Sequence, residues 1–228
     1  MNVGVLLAAG ASRRMGRSKP LVRAAGQSFV AHGVRHLWSA CDAVVVVLGS
    51  DAPRVRAQVE AEFARLVRGG RLAGELRSAR RHGAAGLEAR FVVNREWRRG
   101  MLASARLGLR TALGLGAETL LVLPVDHPAV RSRTIQALTA AMREALAAFR
   151  PVRARSRAKS PFAYALVPRY RRRRGHPIAL SPALARAVVA DRAAADLSDA
   201  VKRNARLVGY LDCADPGVVL NRNTPRQR

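Results

Sequence analysis

Residues 4–21 read GVLLAAGASRRMGRSKPL. Val3 to Ala8 is an unbroken apolar run, the pattern of a strand covered on both faces, as in a parallel sheet. It ends at Gly10, and Arg13, Arg14, Gly16 and Lys19 follow at once. Ligands of open α/β sheets bind at the carboxyl ends of the strands, which is where this loop departs. Glycines let backbone N–H groups turn inward to make a concave anion site, and Arg13, Arg14 and Lys19 add full positive charge around it. The plainer alternative is an ordinary strand-to-helix turn with solvated arginines. The stretch is not a Walker A loop, because Lys19 does not directly follow the second glycine, and it is not GxGxxG.

Working outward, strand and helix patterns alternate. Ala43–Leu48 and Glu118–Val125 read as further buried strands, Arg90–Val93 as a short one, and Phe162–Val167 and Leu207–Leu211 as two more. Helices are predicted at Phe29–Ala40, Pro53–Leu66, Met101–Leu113, Ser132–Phe149, Pro182–Ala190 and Leu197–Lys202. Val55, Val59, Phe63 and Leu66 recur at helical spacing, Leu102, Leu109 and Leu113 are core candidates, and Ser132 is the predicted N-cap of its helix. Gly69–Gly86 reads as loop or ragged helix, and Arg150–Lys159 as a basic connector. This alternation marks an α/β chain with a doubly wound, mostly parallel sheet, Rossmann-like, with residues 1–228 as one domain.

Composition bounds the partners. Of 228 residues, 49% are hydrophobic and only 4% aromatic, so the core must be largely Ala, Val and Leu. The formal net charge of +26 favours polyanions: nucleic acid, anionic membrane or phosphate-rich small molecules. Arginine and alanine are abundant throughout, which also fits compositional drift. Cys41 and Cys213 form neither a zinc motif nor a disulfide framework. The apolar runs are too short to cross a bilayer. No basic residue precedes the first of them, which argues against a signal peptide, so the expected location is cytoplasmic.

The opening stretch resembles the signature of the nucleotidyltransferases related to molybdenum cofactor cytidylyltransferase: Leu7-Ala8-Ala9-Gly10, Ser12, Arg14-Met15-Gly16 and Lys19. The resemblance continues at Asn94, Trp97, Gly100, Met101 and Ser104, at the acidic strand end PVDHP, and at Gly175-His176-Pro177. It implies that an acceptor phosphate attacks the α-phosphorus of a nucleoside triphosphate and releases pyrophosphate, with Mg²⁺ as cofactor. Leu7, Ala8, Ala9, Gly10, Ser12, Arg13, Asn94 and Ser104 would bind the nucleotide. Lys19, Arg14 and Asp126 would be catalytic, and Arg173, Gly175 and His176 would bind the acceptor. Capping is the plainer alternative for Asn94, which ends a strand, and for Ser104, which lies in a helix. LAAG, where guanylyl-transferring relatives often carry LAGG, implies CTP; molybdopterin is the implied acceptor and a molybdoenzyme a further partner.

A lone carboxylate at a strand end can hold Mg²⁺ beside a triphosphate; the alternative is an Asp capping the turn that Pro128 sets. Asp126 is therefore the principal metal candidate. The family's Asp-x-Asp-Thr-Pro is Asn221-Arg222-Asn223-Thr224-Pro225 here. Asn221 and Asn223 can ligate through their carbonyl oxygens but add no charge, which puts the second metal position in doubt. Competing readings are a nucleotidyltransferase with another phosphorylated acceptor, a nucleic-acid binder on the same fold, and a chaperone for the cytosine dinucleotide cofactor. Few aromatics and no recognised nucleic-acid motif count against the nucleic-acid reading.

Overall fold

A computed structural model describes residues 1–10, 18–69, 88–149 and 162–222. Ser12, Arg13, Arg14 and Asn223 lie outside the described residues, as do most of the Gly69–Gly86 stretch and the Arg150–Lys159 connector. In chain order the amino-terminal elements are β1 (Asn2–Ala8), β2 (Arg23–Ala24), β3 (Gln27–Ser28), α1 (Phe29–Trp38), β4 (Ala43–Leu48) and α2 (Ala52–Arg68). Then come β5 (Glu88–Val93), α3 (Met101–Gly114), β6 (Thr119–Pro124) and α4 (Ser132–Ala148). The rest comprises β7 (Tyr164–Tyr170), β8 (Arg173–Arg174), β9 (Ile178–Leu180), α5 (Pro182–Ala190), α6 (Leu197–Asn204) and β10 (Leu207–Asp212). Short 3-10 turns cover Lys19–Leu21, Trp97–Arg99 and Pro216–Val218.

The main sheet runs β10-β7-β9-β6-β1-β4-β5, with β8 paired to β7; β2 and β3 form a separate hairpin. β1 pairs in parallel with β4 and β6, β4 with β5, and β7 with β10. β9 is antiparallel to both its neighbours, β6 and β7. The sheet is mostly parallel, as expected. All six residues of β4 and all seven of β1 are buried, which explains why they read as continuous apolar runs rather than alternating ones.

Two layers of side chains cover the sheet. Leu6, Val44, Val46, Leu121 and Leu123 face α1, α2 and α4. Val3, Val5, Leu7, Val45, Val47, Leu120 and Val122 face α3, α5 and α6. Strand alternation of period two produces this division. The link from β5 to β6 thus runs through α3 on the second face, whereas the helices after β1 and β4 lie on the first. α3 lies close over β1 and β4 because Gly108 has no Cβ; one there would collide with Val5 and Val47.

Several expectations need correction. Ser132 is the first helical residue of α4, not its cap; Arg131 holds the cap position and no side chain caps it. Leu113 is only partly buried, and so is Phe63, whereas its neighbour Glu62 is 3% exposed. Glu62 accepts from Ser28 N at 3.0 Å and Ser28 Oγ at 2.6 Å, tying α2 to the start of α1. The hairpins β2–β3 and β7–β8 and the strand β9 were not foreseen. β9 has three residues, too few to display alternation, and its pairing partner β6 lies far back along the chain.

Candidate active site

β1 lies between β4 and β6, and the helix that follows β5 changes face. The order in which strands are added therefore reverses between the parallel neighbours β1 and β6, the place where an open sheet leaves a crevice beyond its carboxyl ends. A cavity of about 380 Å³ opens there. Leu7, Ala9 and Gly10 border it from β1, and Pro124, Val125 and Asp126 from β6. Lys19 and Pro20 border it from the turn that follows the glycine loop. Trp97, Gly100, Met101 and Ser104 complete the rim at the start of α3.

The β1–β6 ladder continues past the strands: Val125 N donates to Leu7 O at 3.1 Å, holding the two chain ends together. Asp126 follows immediately. Its Oδ2 lies 3.6 Å from Lys19 Nζ, with the two side chains only about one-fifth exposed (20% and 19%). An ion pair this sheltered is screened far less than a surface one. The two groups come from residues distant in sequence and meet because each terminates or follows an adjacent parallel strand. Gly100 has φ +97°, a conformation that favours glycine, and α3 begins there without a side-chain cap. The positive end of the α3 dipole thus lies at the cavity rim, a favourable place for an anion.

Asn94 and Ser104 are both buried and bond to each other, Asn94 Nδ2 donating to Ser104 Oγ at 2.9 Å. Asn94 Oδ1 also accepts from Glu96 N at 2.9 Å. Ser104 borders the cavity; Asn94 stands on the far side of that bond and supports the Trp97–Arg99 turn. Ala8 faces a small neighbouring crevice bordered by Gly49 and Asp51.

His127 is buried beside Asp126, its Nε2 4.0 Å from Asp126 Oδ1. Its ring packs on His176 with centroids 4.8 Å apart. Burial pushes the His127 pKa below the usual histidine value. Burial, then the neighbouring His127, lowers that of His176 to about 4. Both rings are therefore neutral at pH 7, and Lys19 is the cation paired with Asp126. His176 N donates to Val218 O at 2.8 Å, and Gly175 N to Pro168 O at 2.8 Å. A Cβ on Gly175 would strike the Val218 backbone. The chain then passes behind Asp126, where Arg222 N donates to Asp126 O at 2.8 Å. That bond brings the exposed Asn221 next to the β6 end.

Gly175 and His176 thus join Asp126 through His127. Arg173, by contrast, is exposed on β8 and does not border the cavity. Residues not assigned from sequence include Pro20, Trp97, Gly100 and Met101. The last three lie in the Asn94–Ser104 segment whose spacing was already visible, and the φ of Gly100 explains why that position is glycine. Among the described residues no group of three or more His, Cys, Asp and Glu side chains could enclose a metal, and no helix is long and apolar enough to cross a membrane.

A crevice at the switch point of a mostly parallel sheet, with a lysine, a carboxylate and a helix start around it, defines an α/β protein whose site is electrostatically suited to an anionic ligand. The chain belongs to the MobA-like NTP transferase domain family, whose model matches residues 4–207, and so to the nucleotidyltransferases. It is 31% identical over 216 residues to the nicotine blue oxidoreductase of Paenarthrobacter nicotinovorans, covering 93% of this chain and 87% of that one. It shares its fold with Rv0371c of Mycobacterium tuberculosis H37Rv (TM-score 0.63, 20% identity, 93% and 87% coverage), which has also been solved as a manganese complex. The fold also matches a CMP:2-keto-3-deoxy-manno-octonic acid synthetase complexed with CTP (TM-score 0.65, 14% identity, 99% and 94% coverage).

Proposed function

We propose that this chain transfers a nucleotidyl group, cytidylyl in the first instance, from a nucleoside triphosphate to a phosphorylated acceptor, molybdopterin being the first candidate. Pyrophosphate leaves. The observation that carries this reading is the 3.6 Å approach of Lys19 Nζ to Asp126 Oδ2 across the crevice between β1 and β6. It provides the cation a triphosphate needs and, next to it, a carboxylate for a metal.

The acceptor oxygen is already anionic, so neither a nucleophilic side chain nor a general base is required; this agrees with the neutral pair of buried His127 and half-buried His176. Catalysis rests on alignment and charge stabilisation. Leu7, Ala9 and Gly10 cradle base and sugar through the backbone. Lys19 and the start of α3 neutralise the phosphates, joined by Arg13, Arg14 and Ser12 from the loop. Gly175 and His176 shape the acceptor side through His127, and Arg173 acts on the acceptor only from outside the cavity.

The donor set suits a divalent ion that keeps most of its water and is completed by substrate phosphates: one sheltered carboxylate, Asp126, with the amides Asn221 and Asn223 as neutral additions. When bound, Mg²⁺ supplies Lewis-acid polarisation of the phosphates. That Rv0371c was solved with manganese and the octonic acid synthetase with CTP supports the choice of a divalent metal and a pyrimidine nucleotide as the ligands to test.

The test is pyrophosphate release with each of the four NTPs, Mg²⁺ and molybdopterin. CTP is expected to be preferred. Asp126→Asn and Lys19→Met are each expected to lower kcat/KM roughly 100-fold or more, as loss of one charge-stabilising group does, with circular dichroism unchanged. Wild-type rates in either variant would remove those roles. The 31% identity to a protein named an oxidoreductase favours a second reading, a redox reaction at the same crevice. NADH or NADPH consumption with that relative's namesake substrate, without pyrophosphate release, would select it.

A further inference from the structure

On the far side of the Asn94–Ser104 bond lies a second, larger concavity of about 540 Å³. Its polar rim is Arg95, Glu96, Arg99, Arg106, Arg110 and Arg192. These side chains converge from three places: the turn after β5, the outer face of α3, and the link between α5 and α6. The one acid is already engaged, because Glu96 Oε1 accepts from Arg99 Nη1 at 3.0 Å. Arg106 is held in place by the carbonyls of Val188 and Asp191. Arg95, Arg110 and Arg192 have no carboxylate partner among the described residues. Arg106 and Arg110 are four apart on one helix, a spacing at which like charges repel. Val93, more than half exposed at 53%, and Leu102 give the concavity an apolar side.

The geometry points to a second anion site in this groove, taking a small oligophosphate ester: two or three linked phosphates on a compact body with an apolar face. A cluster of five guanidiniums with a single acid is favoured by multivalent phosphate, to which a guanidinium fork can donate paired hydrogen bonds. Diffuse surplus charge does not explain the site, since a solvated surface has neither the concavity nor the convergence of three chain segments. The groove is distinct from the nucleotide crevice, and the inference does not rest on what that crevice does.

The probe is inorganic tripolyphosphate, titrated calorimetrically into the full chain at physiological ionic strength. The Arg110→Glu/Arg192→Glu variant is compared with wild type and with an Arg133→Glu/Arg143→Glu control, which makes the same charge change on α4. The groove variant is expected to bind one equivalent fewer than wild type, and the control the same number as wild type. Arg110→Gln/Arg192→Gln serves in its place if the glutamate variant does not fold. Equal loss in the control would assign the effect to net charge and overturn the site, as would an unchanged stoichiometry in the groove variant. So would a single-stranded oligonucleotide that displaces the groove's equivalent more tightly than tripolyphosphate does, since the groove would then be part of a nucleic-acid track.

Discussion

Asp215 stands outside the crevice lining, is 2% exposed, and fixes the carboxyl-terminal segment that reaches the crevice. Its Oδ2 accepts from Arg131 N at 2.9 Å and Thr134 Oγ1 at 2.7 Å, and its Oδ1 from Gly217 N at 2.9 Å. Asp215→Ala leaves these donors without a partner and should cost about 3 kcal/mol, read as a lower urea midpoint. Thr134→Val, which removes one donor, should cost about 1 kcal/mol. Asp126 was legible in the sequence because it stands just beyond an apolar strand run, where sheet polarity dictates its location, and Lys19 because it closes the basic, glycine-containing stretch that follows β1. Asp215 was not, since its partners lie 84 and 81 residues away and no local pattern announces them. Asn94 and Ser104 were visible through the resemblance of their segment to the family pattern. That they would bond to each other depended on α3 folding back over the end of β5.

Helices and long strands were readable because burial imposes a period on them. β4 and β6 matched the expected runs to within a residue at each end; α2 extends one residue earlier and two later than its apolar stripe, since its exposed ends have no stripe to show. β9 joins the parallel halves of the sheet yet carries no such signature. Ser181, fully buried just after it, does two things: its Oγ accepts from Leu184 N at 3.2 Å, capping α5, and from Tyr164 N at 3.0 Å, at the start of β7. Ser181→Ala should therefore lose more than an ordinary N-cap, about 2 kcal/mol, seen as a lower thermal or urea midpoint. Ser181→Thr, which keeps the acceptor, should recover part of it.

Across the whole molecule, two half-buried imidazoles make folding pH-dependent. Burial, as the leading cause, lowers the pKa values of His36 and His176 from 6.5 to about 4. Above pH 6.5 both are neutral whether folded or not, and their contribution to stability is complete. Between pH 6.5 and pH 4 the unfolded chain takes up protons that the folded one does not, so stability falls on acidification. Each histidine contributes a slope of up to about 1.4 kcal/mol per pH unit. Urea midpoints taken from pH 7.5 to pH 5 should decline, and His176→Gln should flatten the curve. A profile indifferent to that substitution would show that His176 does not stay neutral.

The bond from Arg222 N to Asp126 O, with Val218 O receiving His176 N, means that the crevice is closed from behind by residues made after every strand of the sheet. During synthesis, a nascent polypeptide complete only through β10 already owns most of both cores but lacks Val218 and the backing of its acidic tip. Activity should then appear only after the segment through Arg222 has followed β10 out of the ribosomal tunnel, trailing the appearance of a protease-resistant body by the time needed to make about ten further residues, at about 5–20 residues per second.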